Sequence, residues 1–143
     1  MGLAVGLRAT VRHAVTDADT AIEAGSGDVP VLATPRLLAL AEAACVAALE
    51  PHLGPEMTSV GTAVALEHRR ATPVGAEVEV EAELTEVEGR RLGFSFIARH
   101  CGPGGGSGSG GDPEDEDLVV GAKKVERIVV DREKFLSRVT VPG

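Results

Sequence analysis

The sequence predicts an α+β domain in which one apolar helix packs against a mainly antiparallel β-sheet. Two observations predict this class. Residues 34–49 read as a helix that is apolar around nearly its whole circumference, the pattern of a helix covered on most sides. Five other segments have the two-residue period of strands, one before the helix and four after it, although the period of the last is blurred. One helix set against several half-buried strands is an α+β arrangement.

The segments before the helix are a strand and an irregular stretch. Residues 7–16 alternate well enough to form a first strand, and residues 17–33 carry turn formers without a clear period, so we expect a loop or short lid there. The inner side of the strand is predicted to hold Leu7, Ala9, Val11 and His13.

The helix has recognisable ends. Thr34 is the expected N-cap and Pro35 fits the first helical position. The apolar run continues to about Leu49, and Gly54 and Pro55 lie beyond its end.

Four strand candidates follow the helix, at residues 59–71, 76–91, 90–100 and 118–130. In the second, glutamates alternate with apolar residues, which is typical of an antiparallel strand with one solvated face. Glu88 and Gly89 indicate a tight turn into the third. The predicted inner faces are Val60, Thr62, Val64, Leu66 and His68 in the first, Val78, Val80, Ala82 and Leu84 in the second, and Leu92, Phe94, Phe96 and Ala98 in the third.

A Gly-rich and acidic segment at residues 102–117 separates the last two strands. Its GxG spacings do not indicate a phosphate loop, because an acidic run follows where a helix N-terminus would be needed. We expect a flexible, solvated loop within a single domain spanning residues 1–143.

This order of elements favours the hotdog fold, in which an antiparallel sheet wraps around one long central helix. Hotdog domains usually dimerise by joining their sheets edge to edge, which also protects an exposed edge strand. We therefore expect a homodimer.

Composition excludes several kinds of partner. The chain has three Phe, no Tyr and no Trp, and its net charge is −8, so neither an aromatic base-stacking surface nor a basic stripe for nucleic acid is expected. No run approaches the roughly 20 apolar residues of a membrane span, and the N-terminus lacks a signal layout, so we expect a cytoplasmic protein without a membrane partner.

The two cysteines do not predict a metal site. Cys45 and Cys101 form no CxxC motif and have no histidine at ligand spacing. Cys45 is expected to be a small core residue rather than a nucleophile.

Three residues stand out as candidates for chemistry. Glu42 is the single ionisable residue of the apolar run 37–49, where an unpaired buried carboxylate would cost several kcal/mol. His68 falls on the predicted inner face of its strand. A carboxylate and an imidazole that meet out of water shift each other's pKa values, which prepares a general base for neutral pH. Thr34, at the positive end of the helix dipole, is placed to stabilise developing negative charge.

Each of these residues also has a plainer interpretation. Glu42 could lie at a groove that reaches water, His68 could be a satisfied core histidine, and Thr34 could serve only as an N-cap.

The motifs together resemble the fluoroacetyl-CoA thioesterase branch of the hotdog thioesterases. The resemblance covers roughly residues 31–100 and 118–136, through VLATPRLLALAEAACVAAL, SVGTAVALEHRRATPVG, AELTEVEGRRL and ERIVVDREKF. The family's catalytic threonine, glutamate and histidine match Thr34, Glu42 and His68. The glycine of its SxGT motif, which lies by the acyl group, matches Gly61, and the arginine of its late ER pair matches Arg127.

The resemblance implies hydrolysis of an acyl thioester, carried on coenzyme A or on a carrier protein, with no cofactor beyond the coenzyme A of the substrate. Glu42 would attack the carbonyl or activate water, His68 would move protons, and Thr34 would orient or stabilise the oxyanion. The alternatives are a hotdog protein that binds acyl-CoA without turnover and, ranked lower, a hydratase, whose usual Asp has no counterpart between residues 28 and 112.

Two features bear on the substrate. The family's lid carries aromatic residues that shape a small acyl pocket, whereas residues 17–33 contain none, so selectivity for a fluorinated acyl group is not implied. Coenzyme A is polyanionic and the protein is acidic, so a local cationic patch is expected, with Lys123 and Lys124 as its first candidates. The further candidates are Arg69, Arg70, Arg90, Arg91 and Arg127.

Overall fold

The computed structural model describes residues 2–101 and 118–141 of the 143-residue chain. The predicted Gly-rich loop at 102–117 lies outside the described residues. The strands are β1 (Arg8–Ala14), β2 (Met57–His68), β3 (Glu77–Glu88), β4 (Arg91–Cys101) and β5 (Val119–Asp131), and the helices are α1 (Ala21–Ala24), α2 (Thr34–Leu49) and α3 (Arg132–Ser137). Short 3₁₀ turns lie at Asp17–Asp19 and Glu50–His52.

The five strands form one antiparallel sheet in the order β1-β3-β4-β5-β2. Helix α2 lies across one face, mainly against β3 and β1. Its buried side includes Leu37, Ala41 and Ala44, and these pack against the inner residues of the sheet. The small alanines let the helix approach the strands closely, so the core is filled with few aromatic rings. This is the hotdog architecture predicted from the order of elements.

The alternation in β3 and β4 is confirmed. Val78, Val80, Ala82 and Leu84 are fully buried, while the intervening glutamates are partly or fully exposed. Gly89, at a positive φ of 62°, makes the tight turn that was expected between these strands. The strands therefore follow from side-chain period alone.

The predicted inner face of β2 is only partly right. A register shift between Gly61 and Ala63 inserts an extra residue at Thr62. Before this bulge, the β2 residues on the inner side of the sheet are Ser59 and Gly61, which lie opposite Val129 and Arg127 of β5. Beyond the bulge, the inner residues of β2 are Val64, Leu66 and His68. Val60 and Thr62 therefore do not share the face of His68, because a bulge reverses the alternation of every residue that follows it.

Two expectations about α2 are also corrected. The N-cap is Ala33, and Thr34 is the first helical residue, so its side chain does not cap the helix. The helix is not covered on most sides within one chain, since Pro35, Ala39, Ala43 and Val46 form an exposed stripe at intervals of three and four residues.

The segment between β1 and α2 contains more structure than its sequence predicts. It holds the first 3₁₀ turn and the one-turn helix α1, and it is fastened by isolated bridges from Thr20 to Leu32 and from Val31 to Pro73. Helix α3, after β5, was not expected either. No helix among the described residues is long and apolar enough to span a membrane.

Candidate active site

Thr34 and His68 form a direct pair. The Thr34 hydroxyl lies 2.8 Å from Nδ1 of His68, the last residue of β2. Burial of the ring lowers the pKa of His68 below its usual 6.5, although a contact with the backbone of Arg70 acts in the opposite direction. The imidazole is therefore neutral at neutral pH. A hydroxyl at this distance from a neutral imidazole can pass its proton to the ring.

Glu42 has a different partner. Its Oε2 accepts a hydrogen bond of 2.9 Å from an Arg127 guanidinium nitrogen, and the Arg127 side chain is 8% exposed while that of Glu42 is 34% exposed. The partly buried ion pair compensates the carboxylate that looked out of place on an apolar helix. The same side chain remains open enough to meet another molecule.

Arg127 is fixed in turn by Ser59 on β2. Its Nε donates to the Ser59 hydroxyl at 2.9 Å, and another guanidinium nitrogen donates to the Ser59 carbonyl at 3.0 Å. All three nitrogens of the guanidinium group therefore have acceptors, so the fork is held in one orientation. The Glu42 carboxylate is consequently positioned on a rigid support.

Gly61 provides the space for this carboxylate. It lies opposite Arg127 in the β2–β5 register, and a Cβ placed on it would collide with Oε2 of Glu42. Any larger residue at position 61 would displace the carboxylate. The bulge that follows directly at Thr62 is of the kind that re-aims side chains beside active sites.

The structure brings the predicted residues together as two groups. Thr34 meets His68, and Glu42 meets Arg127 and Gly61, but no hydrogen bond among the described residues joins Glu42 to His68. Helix α2 rises about 12 Å between Thr34 and Glu42. Strand β2 extends roughly 20 Å from Gly61 to His68. Within one chain, the hydroxyl–imidazole pair and the carboxylate are therefore separate.

The two candidate lysines lie in different places. Lys123 is paired with Glu67 at 3.4 Å, next to His68 in β2, and Glu67 also pairs with Arg69 at 3.0 Å. Lys124 lies on the outer side of the sheet, beside a cleft that Ala63 and Ala65 also line. Neither lysine contacts Glu42 in the described part of the chain, and their role in substrate binding stays a prediction.

A cleft of about 280 Å³ adjoins the hydroxyl–imidazole pair. Thr34 and His68 line it together with Arg69 and Arg70, and Ala21 of α1 contributes to its other side. A substrate that entered here would meet the pair under a basic rim.

Sequence reasoning missed Ser59, although it stands in the SxGT motif two residues before Gly61. In a strand, that spacing places both residues on one face, so the motif itself held the signal. Cys45 was correctly expected to be a core residue: it is fully buried, and burial raises the pKa of its thiol to about 12. A thiol in that state is not a nucleophile.

Comparison with known proteins gives consistent results. Residues 15–108 match the model of a family described as fluoroacetyl-CoA-specific thioesterase. A fluoroacetyl-CoA thioesterase from Streptantibioticus cattleyicolor is 40% identical over 109 residues, which are 76% of this chain and 68% of the relative.

Solved structures agree with this result. A structure of the fluoroacetyl-CoA thioesterase FlK superposes with a TM-score of 0.80 at 34% identity, covering 99% of this chain and 100% of that one. A variant of FlK in complex with acetyl-CoA gives 0.78 at 33% identity, with 95% and 96% covered. A thioesterase superfamily member from Thermus thermophilus shares the fold, with a TM-score of 0.76 at 22% identity, covering 94% and 88%.

The antiparallel sheet around one central helix, together with these matches, makes this chain a hotdog-fold thioesterase. Within that class, this chain belongs to the fluoroacetyl-CoA-specific thioesterase family, because the family model covers well over half of it and a curated member is 40% identical.

Proposed function

We propose that this protein hydrolyses the thioester of a small acyl-CoA and releases the carboxylic acid and free coenzyme A. The observation that carries the proposal is the support of Glu42. Arg127 holds its carboxylate in one orientation, Gly61 leaves room for it, and the side chain is still 34% exposed. The residue also matches the family's catalytic glutamate. A carboxylate that is ordered but accessible can attack a thioester carbonyl or orient a water toward it.

The roles proposed for the three residues rest on the family resemblance and on their contacts. Either Glu42 attacks the carbonyl, so that the C–S bond breaks and water then hydrolyses the resulting anhydride, or Glu42 orients the water that attacks. In both routes the neutral His68 ring accepts a proton from this water and passes it to the thiolate. Thr34 stabilises the oxyanion or orients the carbonyl through its hydroxyl. Coenzyme A enters as part of the substrate, and the side chains named here require no other cofactor.

We propose further that the protein is a homodimer. Strand β2 is an edge of the sheet, and its residues 61–65 are exposed, including the apolar Val64 at 49%. The exposed stripe of α2, which includes Ala39, Ala43 and Val46, lies open in a single chain. Pairing of two β2 strands would cover the open edge and bring the two α2 stripes together.

Such a dimer would also complete the active site. Since Glu42 is separate from Thr34 and His68 within one chain, we propose that each site combines Glu42 of one subunit with the hydroxyl–imidazole pair of the other. An antiparallel arrangement of two β2 strands places the His68 end of one strand toward the beginning of the other, near its Gly61.

The acyl group is proposed to be small, as the name of the Streptantibioticus cattleyicolor relative indicates for that protein. We do not propose that this protein prefers a fluorinated acyl group, since residues 17–33 contain no aromatic side chain. A cytoplasmic location and the absence of nucleic-acid and membrane partners stay predictions.

The decisive experiment is a thiol-release assay on a panel of acyl-CoAs that varies chain length and α-substituent. Wild-type protein should release coenzyme A from the short members. Glu42→Gln keeps the size of the side chain but removes its charge, so turnover should fall by about 1,000-fold or more. Glu81→Gln, the same change on the glutamate face of β3, is the control and should retain full activity.

The contrary results are distinct. If wild-type protein binds acyl-CoA, as measured by calorimetry, but releases no thiol from any member, the protein is a non-catalytic acyl-CoA binder. If Glu42→Gln turns over at the wild-type rate, the protein is a thioesterase that uses another residue.

A further inference from the structure

Asp19 is a buried carboxylate that the proposed chemistry does not use. Asp19 is only 5% exposed and lies in the 3₁₀ turn between β1 and α1. Its Oδ2 accepts hydrogen bonds from the Thr16 backbone at 2.7 Å, the Thr16 hydroxyl at 2.9 Å and His13 Nε2 at 2.8 Å, and its Oδ1 accepts one from Arg36 Nε at 2.8 Å. Four donors from β1, the turn and α2 therefore meet on one side chain.

The protonation state of Asp19 agrees with this geometry. Burial by itself would raise the pKa of the carboxyl, but the hydrogen bonds from Thr16, Arg36 and His13 outweigh it and hold the pKa below its usual range. The group is therefore a carboxylate at neutral pH, and its hydrogen bonds are of the stronger, charge-assisted kind.

Asp19 forms hydrogen bonds to the start of α2 on both sides of Thr34. Its backbone carbonyl accepts the N–H of Ala33 at 2.9 Å, one residue before Thr34, and its side chain binds Arg36, two residues after. Thr34 itself makes its side-chain hydrogen bond to His68 and does not cap the helix. The position of its hydroxyl is thus set by the backbone that Asp19 fixes.

We propose that Asp19 is a positioning residue for the Thr34–His68 pair, holding the first turn of α2 so that the Thr34 hydroxyl stays within hydrogen-bond distance of the imidazole. The inference rests on the proposed function only for its effect on catalysis. The effect on the pair itself is independent of any activity. Ala21 of α1, two residues after Asp19, lines the cleft beside the pair.

The first measurement follows the pair directly. In NMR titrations, Asp19→Asn should shift the midpoint of the His68 ring in the same direction as Thr34→Ala does, because both changes loosen the hydrogen bond to Nδ1. Asp17→Asn makes the same chemical change in the same turn, at an exposed residue, and should leave the midpoint at its wild-type value. This readout works even if no acyl-CoA is hydrolysed.

The second measurement is a double-mutant cycle on turnover. Asp19→Asn should lower kcat by about 10-fold with little change in KM, since a misplacement of about 1 Å can cost 100-fold and the one expected here is smaller. In the Thr34→Ala background, Asp19→Asn should have almost no further effect. Arg36→Gln removes one of the four donors, at a more exposed site, so it should lower kcat less than Asp19→Asn does. It replaces Asp19→Asn in the cycle if that variant does not fold.

Two results would overturn the inference. An unchanged His68 midpoint in folded Asp19→Asn and Arg36→Gln, with a shifted one in Thr34→Ala, would show that Asp19 does not act on the pair. If Asp19→Asn lowered kcat equally in the wild-type and Thr34→Ala backgrounds, Asp19 would have a general structural role. Failure of the proposed function would instead be seen as absence of thiol release by the wild-type protein.

Discussion

Gly61 shows how a single residue can decide where a catalytic group lies. The ideal Cβ of any other residue would overlap Oε2 of Glu42 and approach a nitrogen of Arg127 to 3.4 Å. Glycine is therefore needed here for space, since its φ is not in the left-handed region. The backbone of β2 forms one wall of the carboxylate's site.

The first prediction concerns this wall. Gly61→Ala should displace the Glu42 carboxylate and lower kcat by about 100-fold. The protein should remain folded, because the Glu42 side chain is 34% exposed and can turn toward solvent. Steady-state kinetics and thermal melting would measure the two effects. Gly93→Ala in β4 is the control, because an added Cβ there meets the Cβ of Glu86 at 3.3 Å and none of the candidate catalytic residues. Wild-type kcat in Gly61→Ala would mean that Glu42 need not lie where the structure places it.

The second prediction at this scale concerns His68. Because burial lowers the pKa of His68 below 6.5, the neutral ring persists into mildly acidic solution. If turnover needs the neutral ring, log kcat/KM should fall on the acid side with a midpoint below pH 6.5. The folded protein binds fewer protons here than the unfolded chain, so stability should also be lost as pH falls through this range. A midpoint above pH 6.5 would contradict the assignment of His68.

At the scale of elements, the sequence predicted the strands and the helix well but not their irregularities. The alternation of β3 and β4 and the apolar run of α2 are local patterns, so they can be read from neighbouring residues. The bulge at Thr62 lies in the pairing of β2 with β5, and the Thr34 side chain bonds to His68, so both involve residues that are distant along the chain. Such features depend on tertiary contacts that no short window contains.

The same limit applied to the site. Glu42 and His68 were recognisable because an ionisable residue on an apolar face is rare. The expected contact between Glu42 and His68 is not found within the chain, since Glu42 pairs with Arg127 instead. Asp19 gave no signal, because an aspartate in a turn is common and its burial arises only when β1, the turn and α2 assemble. Whether Thr34, Glu42 and His68 perform catalysis stays a prediction.

Strand β5 supports a prediction about coenzyme A. Lys123 pairs with Glu67 beside His68, whereas Lys124 lies on the outer side of the sheet. Lys123 does not line the cleft beside His68, but it shares its partner Glu67 with Arg69 of the basic rim. If the phosphates of coenzyme A rest near this rim, Lys123→Glu should raise KM for acyl-CoA by about 10-fold at low salt. Lys124→Glu should raise it much less. Equal effects of the two would indicate that only net charge matters.

The control for this prediction is a substrate without phosphates. The matching acyl thioester of pantetheine should show the same KM with Lys123→Glu as with wild-type protein. If KM rises for this substrate as well, Lys123 affects the acyl or pantetheine part of the site. High salt should reduce the difference between the two proteins on acyl-CoA, because screening weakens interactions between exposed charges.

At the scale of the whole molecule, the proposed dimer predicts complementation between two inactive variants. In an equal mixture of refolded or co-expressed Glu42→Gln and His68→Ala chains, half of the dimers are mixed, and each holds one intact site built from the unmutated Glu42 and His68. About a quarter of wild-type activity should return.

A mixture of Glu42→Gln with Glu42→Ala is the control and should stay inactive, because every site then lacks the carboxylate. Native mass spectrometry would verify that mixed dimers form. Mixed dimers without recovered activity would mean that each site is built within one subunit, and a monomeric mass would refute the dimer itself.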